Sequence, residues 1–552
     1  MIQKNDPYYN NSLEVAREFV QSVTIVDDKA AYSGEGPVSS EAFNAGEIIK
    51  KFSEQGIVCC IYKFADESDI DRIVRISRRS DVTILDWKMN LVPGMAVADD
   101  DDETEDDDRE SKGYYTLEIL KKVVSGEYNK FKLFVIYTDE IDFSRIIVEI
   151  KKEFKNADLP VSDESTYSFC CNSNKITIFG KEAIKTKAKH VKDIAERSFN
   201  YTELPDAVYD EFVRFTHGVV SNIFLKSISA VRANTYFLLN TFQRGIDPAF
   251  IAHKGLLPVP DDAHDLIVEL IGSEIKSVIG GALSEDVTNK QIEGFIDTLD
   301  GKQLLFDFDK TRLNNTDGIP ESFTTEEFKQ LLKVGIIPVC KYENESVRAK
   351  IDLSKKVIKH LPQIIVKGYD PGMKKNDVQT AAADSNVKFA CLTTLKKRYL
   401  NSNKPILTLG VVLKAVTLSG TEEYWICIQP KCDSVRLTAE EDQKEGRPFL
   451  FLSLAKASGN GDIILDSKSG FKIVYSIIKS RQFMFRSTRN GMVQVEGEDS
   501  ERWFFTDSSG RRFEYLGELK NDFAQGIANN FASQVCRVAT NHSEWLRLNS
   551  IK

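Results

Sequence analysis

The stretch SDVTILDWKMN, residues 80–90, joins a short apolar run to an acidic residue. Residues 82–85 are of the β-branched and aliphatic types that fill buried strands. Asp86 follows them directly. A carboxylate at this position either caps the next helix or takes part in chemistry at the end of the strand. The residues that end the neighbouring strands decide between these two interpretations.

Apolar β-prone runs recur over residues 20–185, separated by segments with apolar residues at helical spacing. The five runs are 22–28, 57–64, 82–86, 132–138 and 175–181, and the four helical segments are 41–55, 67–80, 114–126 and 140–154. This alternation predicts a five-stranded parallel sheet covered by helices on both faces. In such sheets, ligands bind outside the carboxyl ends of the strands.

The size and composition of the chain favour a multidomain globular protein. Its 552 residues suggest about three to four domains, and 42% apolar and 28% charged residues are typical of soluble proteins. No apolar run approaches the ~20 residues of a membrane span, and the first residues lack the apolar core of a secretory signal. We therefore expect a cytoplasmic protein with no membrane partner.

The net charge of −10 is concentrated in one segment. Residues 99–110 hold ten acidic residues and one arginine, a local charge of −9, so the rest of the chain carries only −1. The nearly neutral remainder gives no clear indication of nucleic-acid binding. Because a run of like charges repels itself and buries no apolar surface, we expect a disordered acidic insertion over about residues 97–112.

The remaining segments predict three further regions. Residues 1–19 form an N-terminal helical arm before the α/β domain of residues 20–190. Residues 196–335 read as a helical domain or linker, because apolar residues recur at helical spacing. Residues 336–552 form a mixed, β-rich C-terminal domain that ends in a helix, whose apolar face is Phe523, Ile527, Phe531, Val535 and Val538.

Polar side chains end four of the five runs in the α/β domain. Asp27 and Asp28 follow the first, Asp86 the third, Thr138 the fourth and Lys181 the fifth. A parallel sheet places all of them at one edge, where three carboxylates repel one another unless a cation compensates them. Carboxylate oxygens are hard ligands that suit Mg²⁺. The sequence therefore predicts a magnesium site at this edge.

These residue types fit a single reaction. A carboxylate beside Mg²⁺ is a competent nucleophile towards phosphorus and yields an aspartyl phosphate. The metal and Lys181 would neutralise charge on the transferring phosphoryl oxygens, and the Thr138 hydroxyl could donate to one of them. Asp86 is the candidate phosphoacceptor.

The four motifs TIVDDK, VTILDWKM, LFVIYT and ITIFGK resemble, in order, those of the receiver domain of two-component response regulators. The resemblance covers about residues 18–190 and implies a flavodoxin-like fold. It implies that Asp86 accepts phosphate, with Asp27, Asp28, Asp86 and the main-chain carbonyl of Lys88 around Mg²⁺. It further implies a histidine-kinase-type partner and a response-regulator function, with self-phosphoryl transfer and autodephosphorylation as the only enzymatic steps.

Three other interpretations compete with this one. Haloacid-dehalogenase-type phosphatases use similar residues, but their nucleophile comes first and their acidic pair last, the reverse of the order here. Strand-end capping on an inert α/β domain remains an alternative. A phosphate-independent scaffold is a further one, favoured by Asp139 after Thr138 and by Glu182 after Lys181, where the family usually has a small residue and proline.

Other departures concern switching and hydrolysis. The family's aromatic switch position falls on Ile178, with Phe179 one step off. Lys88 and Glu140 occupy positions that in the family tune hydrolysis of the phosphoaspartate. Their charged side chains could orient or block water.

The rest of the chain shows no familiar output domain. His217 could be a phosphorelay histidine or simply a packed side chain. Cys432 could be a nucleophile if His360 or His542 reached it in the fold, and Arg436 could serve a nucleic-acid activity. The later segments faintly resemble bacterial receiver-bearing proteins of anti-phage systems that act with histidine-kinase-like, GHKL-type ATPases. The sequence also leaves a homodimer open.

Overall fold

The computed structural model divides the chain into two compact units, residues 1–300 and 301–552. It describes residues 7–31, 43–89, 113–125, 131–188, 191–257, 260, 262–298, 304–305, 322–323, 332, 361–367, 372–397, 404–417, 419–457, 461–466, 470–496 and 502–535. The acidic insertion predicted over residues 97–112 lies outside these ranges.

The first unit alternates strands and helices and then becomes helical. Its strands are Ser22–Asp27 (β1), Ala30–Ala31 (β2), Phe43–Asn44 (β3), Val58–Lys63 (β4), Val82–Asp86 (β5), Lys132–Thr138 (β6), Val161–Ser165 (β7), Ser168–Cys171 (β8), Asn174–Lys181 (β9) and Ser198–Phe199 (β10). Its helices are Pro7–Phe19 (α1), Ala45–Glu54 (α2), Asp69–Ser77 (α3), Tyr114–Val124 (α4), Phe143–Asn156 (α5), Ala183–Lys187 (α6), Lys192–Glu196 (α7), Leu204–Thr216 (α8), Val219–Ala233 (α9), Thr235–Thr241 (α10), Asp247–Leu256 (α11), Asp262–Ala282 (α12) and Glu285–Asp297 (α13).

The main sheet of this unit has the order β4-β1-β5-β6-β9-β8-β7. The five neighbouring strands β4, β1, β5, β6 and β9 pair in parallel, which confirms the predicted five-stranded parallel sheet. An antiparallel β7–β8 hairpin, which the sequence pattern does not indicate, extends this sheet. The short strand β10 pairs in parallel with the end of β9.

Helices cover both faces of this sheet, as a parallel sheet requires. On one face, α1, α2 and α8 bury residues such as Val15, Phe52 and Phe212 against β1, β5 and β6. On the other face, α3, α4 and α5 bury residues such as Ile119 and Ile147. The central strands β5 and β6 are buried along their whole length, so their apolar runs are satisfied on both sides.

Helix α9 is joined to the sheet layer by polar contacts at both of its ends. Near its start, Asn222 donates to the hydroxyls of Tyr8 (2.9 Å) and Ser12 (2.8 Å) on α1. Near its end, the Arg232 guanidinium lies 3.1 Å from Asp81 Oδ1, just before β5. The helical region is therefore anchored to the α/β layer.

The second unit contains an antiparallel sheet. Its strands are Leu304–Leu305 (β11), Ser322–Phe323 (β12), Val411–Val416 (β13), Glu422–Cys427 (β14), Arg447–Ala457 (β15), Ile463–Ile464 (β16), Gly470–Ile473 (β17), Arg481–Phe485 (β18), Phe504–Thr506 (β19) and Arg512–Glu518 (β20). Its helices are Lys375–Thr394 (α14), Lys431–Ser434 (α15), Glu440–Lys444 (α16) and Asn521–Val535 (α17).

The larger sheet of this unit has the order β16-β17-β15-β14-β13-β20-β19, with β18 paired to β15. Two apolar clusters form on it, and α17 contributes Ile527 and Phe531 to one of them. The predicted α/β class with a helical middle and a β-rich C-terminal part is therefore confirmed. Val538, predicted on the last helix face, lies outside the described residues. Within the described part of the chain, no helix has the length and apolar character needed to cross a bilayer.

Candidate functional site

The strand register brings the predicted polar residues to one edge of the parallel sheet. Asp86 at the end of β5 is paired with Tyr137, so Thr138 lies one step further along β6. Thr138 is in turn paired with Gly180, so Lys181 lies one step further along β9. The residues that end successive strands therefore form a staggered row around the end of β5.

An ion-pair network joins three of these side chains. Lys181 Nζ lies 2.7 Å from Asp86 Oδ2 and 3.1 Å from Asp27 Oδ2. Both carboxylates are buried, with side chains 4% and 5% exposed, and Lys181 is 16% exposed. The second oxygen of Asp27 accepts the Lys29 main-chain N–H at 2.8 Å. Lys181, the last residue of β9, thus links the end of β1 to the end of β5 through its ammonium group.

Asp27, Asp28 and Asp86 form a compact carboxylate cluster. One oxygen from each lies within 4.8 Å of the others. With Lys181 included, three carboxylates and one ammonium give a net charge of −2 in a largely buried position. All the donors are hard oxygens, which is the donor set that Mg²⁺ prefers. The residues present fit a divalent cation in both charge and chemistry.

Burial and like charge shape the titration of this cluster. Burial raises the pKa of Asp86 from 3.8 to about 7; Lys181 opposes this shift, and Asp27 and Asp28 reinforce it. Burial alone would lower the pKa of Lys181, but Asp86 and Asp27 outweigh it and hold that pKa above its ordinary value. Lys181 therefore stays charged, while Asp86 is costly to ionise unless another cation is added.

Thr138 is fully buried at the end of β6, and its hydroxyl oxygen accepts the main-chain N–H of Glu140 at 3.1 Å. The Glu140 carboxylate forms an ion pair with the Lys88 ammonium. The two side chains at the predicted hydrolysis-tuning positions are therefore paired with each other. Pairing reduces the freedom of either group to act on a water molecule alone.

Helix α4 holds the turn after Asp86. The Thr116 hydroxyl donates to the main-chain carbonyls of Asp86 (2.6 Å) and Trp87 (3.2 Å). Trp87 is fully buried, and a side chain on Gly113, which has a φ of 68°, would collide with its ring. These contacts fix the backbone that leads to Lys88, whose main-chain carbonyl remains a predicted metal ligand.

The two acidic residues that depart from the family pattern point to solvent. Asp139 and Glu182 are both exposed, although each directly follows a residue of the site. Each therefore adds negative charge on the exposed side of the site, and like charge slows the approach of an anion.

Sequence analysis missed an aromatic pair beside the site. The rings of Tyr137 and Tyr201 are 5.9 Å apart, and the Lys181 ammonium lies 5.8 Å from the Tyr137 ring centroid. Burial raises the pKa of Tyr201 to about 12; Lys181 opposes this shift, and Asp27 reinforces it. Tyr201 follows β10, which pairs beside Lys181. A two-residue strand leaves no periodic signal in the sequence.

The aromatic residue one step from the family's switch position faces the α8 side of the sheet. Phe179 packs in the cluster that contains α1, α2 and α8, whereas Ile178 packs in the opposite cluster. The Phe179 ring lies 5.0 Å from the ring of Phe199 on β10, and Arg197 lies over it at 5.5 Å. Phe179 is therefore held in place by the segment that leads to α8.

The other candidates lie apart from this cluster in the chain. His217 follows the last residue of α8, and its ring is 5.9 Å from that of Tyr8. Cys432 is exposed on the one-turn helix α15. Arg436 has a φ of 73°, in the left-handed region. The two histidines predicted as a possible base for the Cys432 thiol, His360 and His542, lie outside the described residues.

Comparison with known proteins identifies one domain. Residues 19–186 match the family model described as a response receiver domain, which confirms the receiver domain predicted over about residues 18–190. A domain of this kind indicates a phosphoryl acceptor of the response-regulator type. Searches of curated proteins and of solved structures found no match to the chain.

Proposed function

We propose that this chain is an atypical response regulator whose receiver domain accepts a phosphoryl group on Asp86 with the help of Mg²⁺. The observation that carries the proposal is the position of the Lys181 ammonium, 2.7 Å from Asp86 and 3.1 Å from Asp27. A strand-end cap needs no buried ammonium, and three carboxylates within 4.8 Å are unfavourable in an inert domain. Their clustering is explained by a reaction that brings a dication and a phosphoryl group.

The proposed step is an in-line displacement at phosphorus. A carboxylate oxygen of Asp86 forms a bond to phosphorus, and the phosphorus–nitrogen bond of a donor phosphohistidine breaks. The imidazole leaves with the bonding electrons and takes a proton, and an acyl phosphate remains on Asp86. Hydrolysis reverses the state: water attacks phosphorus, inorganic phosphate leaves, and the carboxylate is restored.

Each neighbouring side chain has a part in this step. Bound Mg²⁺, held by Asp27, Asp28 and Asp86, would supply positive charge for the phosphoryl oxygens. The Lys181 ammonium would exchange its contact with the Asp86 carboxylate for one with a phosphoryl oxygen, since it already lies beside Asp86. The Thr138 hydroxyl, now an acceptor of one N–H, still has a proton to donate to another oxygen.

Phosphorylation of Asp86 would affect the rest of the first unit through the neighbours of Lys181. Lys181 neighbours the Tyr137 ring, and Tyr137 donates to the Phe199 main-chain carbonyl on β10 at 2.7 Å. β10 leads into α8, so redirecting Lys181 would alter the packing at the start of the helical region. We propose that this region and the β-rich unit carry the output.

The proposal also covers the protein that donates the phosphoryl group and the cellular setting. A phosphohistidine donor implies a histidine-kinase-like or GHKL-type ATPase in the cytoplasm. The faint resemblance of the later segments supports bacterial anti-phage defence as the setting. The receiver domain supports the class of donor, and the setting rests on the resemblance alone.

The direct test is incubation of the full chain with acetyl phosphate and Mg²⁺, followed by intact-protein mass measurement. The proposal predicts one added phosphoryl group on the native protein, and none on Asp86→Ala or in the presence of EDTA. Lys181→Ala should slow the gain at least tenfold while leaving Mg²⁺ binding intact. Asp139→Asn is the matched control at an exposed carboxylate, and it should keep the gain. No added mass on the native protein at any Mg²⁺ concentration would contradict the proposal.

A phosphate-independent scaffold is the second candidate. It is favoured by the exposed carboxylates of Asp139 and Glu182 beside the site. For a scaffold, Asp86→Ala should leave partner binding unchanged even if the native protein can be labelled. Loss of partner binding in that variant would instead support signalling through Asp86.

A further inference from the structure

Helices α9 to α12 of the first unit expose an unusual amount of apolar surface. The described chain has 23 large apolar side chains that are strongly exposed, and eleven of them lie between residues 220 and 271. They are Val220, Phe224, Tyr236, Phe237, Leu239, Ile246, Ile251, Leu256, Val268, Leu270 and Ile271. Single exposed apolar residues are ordinary, but a concentration of this kind marks an interaction surface.

This region is anchored on one side and open on the other. Helix α9 buries Asn222 and Leu225 towards α1, while Val220 and Phe224, one turn apart, are 64% and 60% exposed. Helix α12 packs beside α9, yet Val268 and Ile271 on it remain 55% and 41% exposed. Helices α1 and α13 also pack against α9, yet within the described residues these outward side chains stay exposed.

Basic and acidic residues of this helical region lie in different segments of the chain. Residues 235–256, which include α10 and α11, carry Arg244 and Lys254 against one acidic residue. Helix α12 carries four acidic residues and one lysine, three of the acids in its first eight positions. In a two-fold pair, the basic segment of one copy can face the acidic helix of the other, which makes the surface self-complementary.

The area matches what a stable dimer needs. If each large apolar side chain offers at most about 150 Å², the eleven, which are 41–85% exposed on all sides of their helices, supply at most roughly 1,000 Å² per copy. A stable interface buries about 800 Å² per partner. We propose that two copies of this chain associate through this face, with α9 and α12 of each copy forming a helical bundle.

The test is the mass of the full chain in solution, measured by light scattering or sedimentation. The native protein should be a dimer in the micromolar range. Phe237→Glu and Val268→Glu should each weaken association at least tenfold, because a carboxylate would be buried in an apolar interface. Val148→Glu is the matched control: Val148 is 64% exposed on α5, outside the proposed face, and that variant should stay dimeric.

Circular dichroism and urea unfolding of each variant separate loss of association from loss of fold. A dimer that persists unchanged in both interface variants would overturn the proposal, and so would a monomeric native protein. If the native protein is monomeric and the same variants lower its urea midpoint, the face is covered by another segment of the same chain. None of these outcomes depends on phosphorylation of Asp86.

Discussion

At the scale of single residues, the site holds more negative charge than its burial favours. Asp86 is 5% exposed, lies close to the carboxylates of Asp27 and Asp28, and forms an ion pair with Lys181. Burial and the neighbouring acids raise its pKa to about 7. The consequence is a carboxyl group that retains its proton in the folded protein under conditions where the unfolded chain has lost it.

This difference predicts how stability depends on pH in metal-free buffer. The folded protein keeps the Asp86 proton up to about pH 7, whereas an ordinary aspartate releases it near 3.8. Protons therefore favour the folded state, and the free energy of unfolding should fall as pH rises from about 4 to about 7. A pKa unit is worth about 1.4 kcal/mol. The rise from 3.8 to about 7 already includes the opposing effect of Lys181, so a loss on the order of 4 kcal/mol is expected.

Urea unfolding at a series of pH values, with EDTA present, measures this slope. Asp86→Asn removes the titrating group but keeps the shape, so the difference between the two proteins isolates Asp86. If the free energy of unfolding of the native protein falls no more steeply between pH 4 and pH 7 than that of Asp86→Asn, the Asp86 pKa is not raised.

The residues of this site could be predicted because strand ends are visible in sequence. Asp27, Asp86, Thr138 and Lys181 each follow an apolar run, and parallel pairing brings such ends together. The Tyr137–Tyr201 contact could not be predicted, because Tyr201 arrives through a two-residue strand. The Lys88–Glu140 ion pair depends on side-chain directions in two loops, which no periodicity reports.

At the scale of elements, a buried ion network fastens α8 to the sheet. Glu211 on α8 lies 3.0 Å from Lys175 on β9 and 3.4 Å from Arg197, and the Glu211 and Lys175 side chains are only 2–3% exposed. Burial alone would raise the pKa of Glu211, but Arg197 and Lys175 outweigh it and hold that pKa below its ordinary value. The carboxylate therefore adds stability above about pH 4.5 that is lost as pH falls through its lowered pKa.

Neutralising Glu211 should destabilise the first unit. Glu211→Gln leaves the Lys175 ammonium with Glu164 on β7 as its one acidic partner among the described residues. Removing one member of a buried pair costs about 3 kcal/mol, and thermal unfolding measures the loss. Glu203→Gln is the matched control, since its ion pair with Lys185 is exposed on both sides, and surface pairs contribute little. Equal effects of the two substitutions would contradict a special role for the buried network.

The segment around β10 gives a second prediction at this scale. Tyr201→Ala removes the ring that packs against Tyr137, whose hydroxyl donates to the Phe199 carbonyl. With this support for the Tyr137 ring lost, the start of α8 should respond much less to the state of Lys181. Acetyl phosphate should change hydrogen exchange over residues 198–216 in the native protein and change it much less in this variant. Tyr201→Phe keeps the ring and should behave as the native protein does. A response in Tyr201→Ala as large as in the native protein would rule out this route.

Elements with strong periodicity could be predicted, and weakly patterned ones could not. All five parallel strands coincide with apolar runs. Four of them are buried along nearly their whole length and so are apolar throughout, whereas the edge strand β4 is mostly exposed or half-buried. The β7 strand reads VSDES and is mostly exposed, so neither composition nor alternation indicates it. It forms because it pairs with β8, which is itself held by β9.

At the scale of the whole molecule, the chain has two compact units with separate cores. One contains the carboxylate cluster, and the other contains the antiparallel sheet. Mg²⁺ bound at the cluster would stabilise the unit that holds it, because a ligand that binds the folded state adds free energy to that state. The two units should therefore differ in their response to the metal.

Tryptophan fluorescence can separate the two responses. Trp87 is fully buried directly after Asp86, and Trp425 lies on β14 of the second unit. At ten times its dissociation constant, Mg²⁺ should stabilise the Trp87 transition by about 1.4 kcal/mol and leave the Trp425 transition unchanged. The Trp87→Phe variant identifies which signal belongs to which unit. A shift of both transitions, or of the second alone, would place the metal elsewhere.

The central claim is that Asp86, and no other residue, carries the phosphoryl group. The most direct measurement is to treat the full chain with acetyl phosphate and Mg²⁺, reduce the acyl phosphate with borohydride, and map the peptides by mass. Reduction converts a phosphorylated aspartate to homoserine, so the modified position can be read directly. We expect one homoserine, at position 86, absent with EDTA and absent from Asp86→Ala. Homoserine at position 27 or 28, or none at all, would contradict the account.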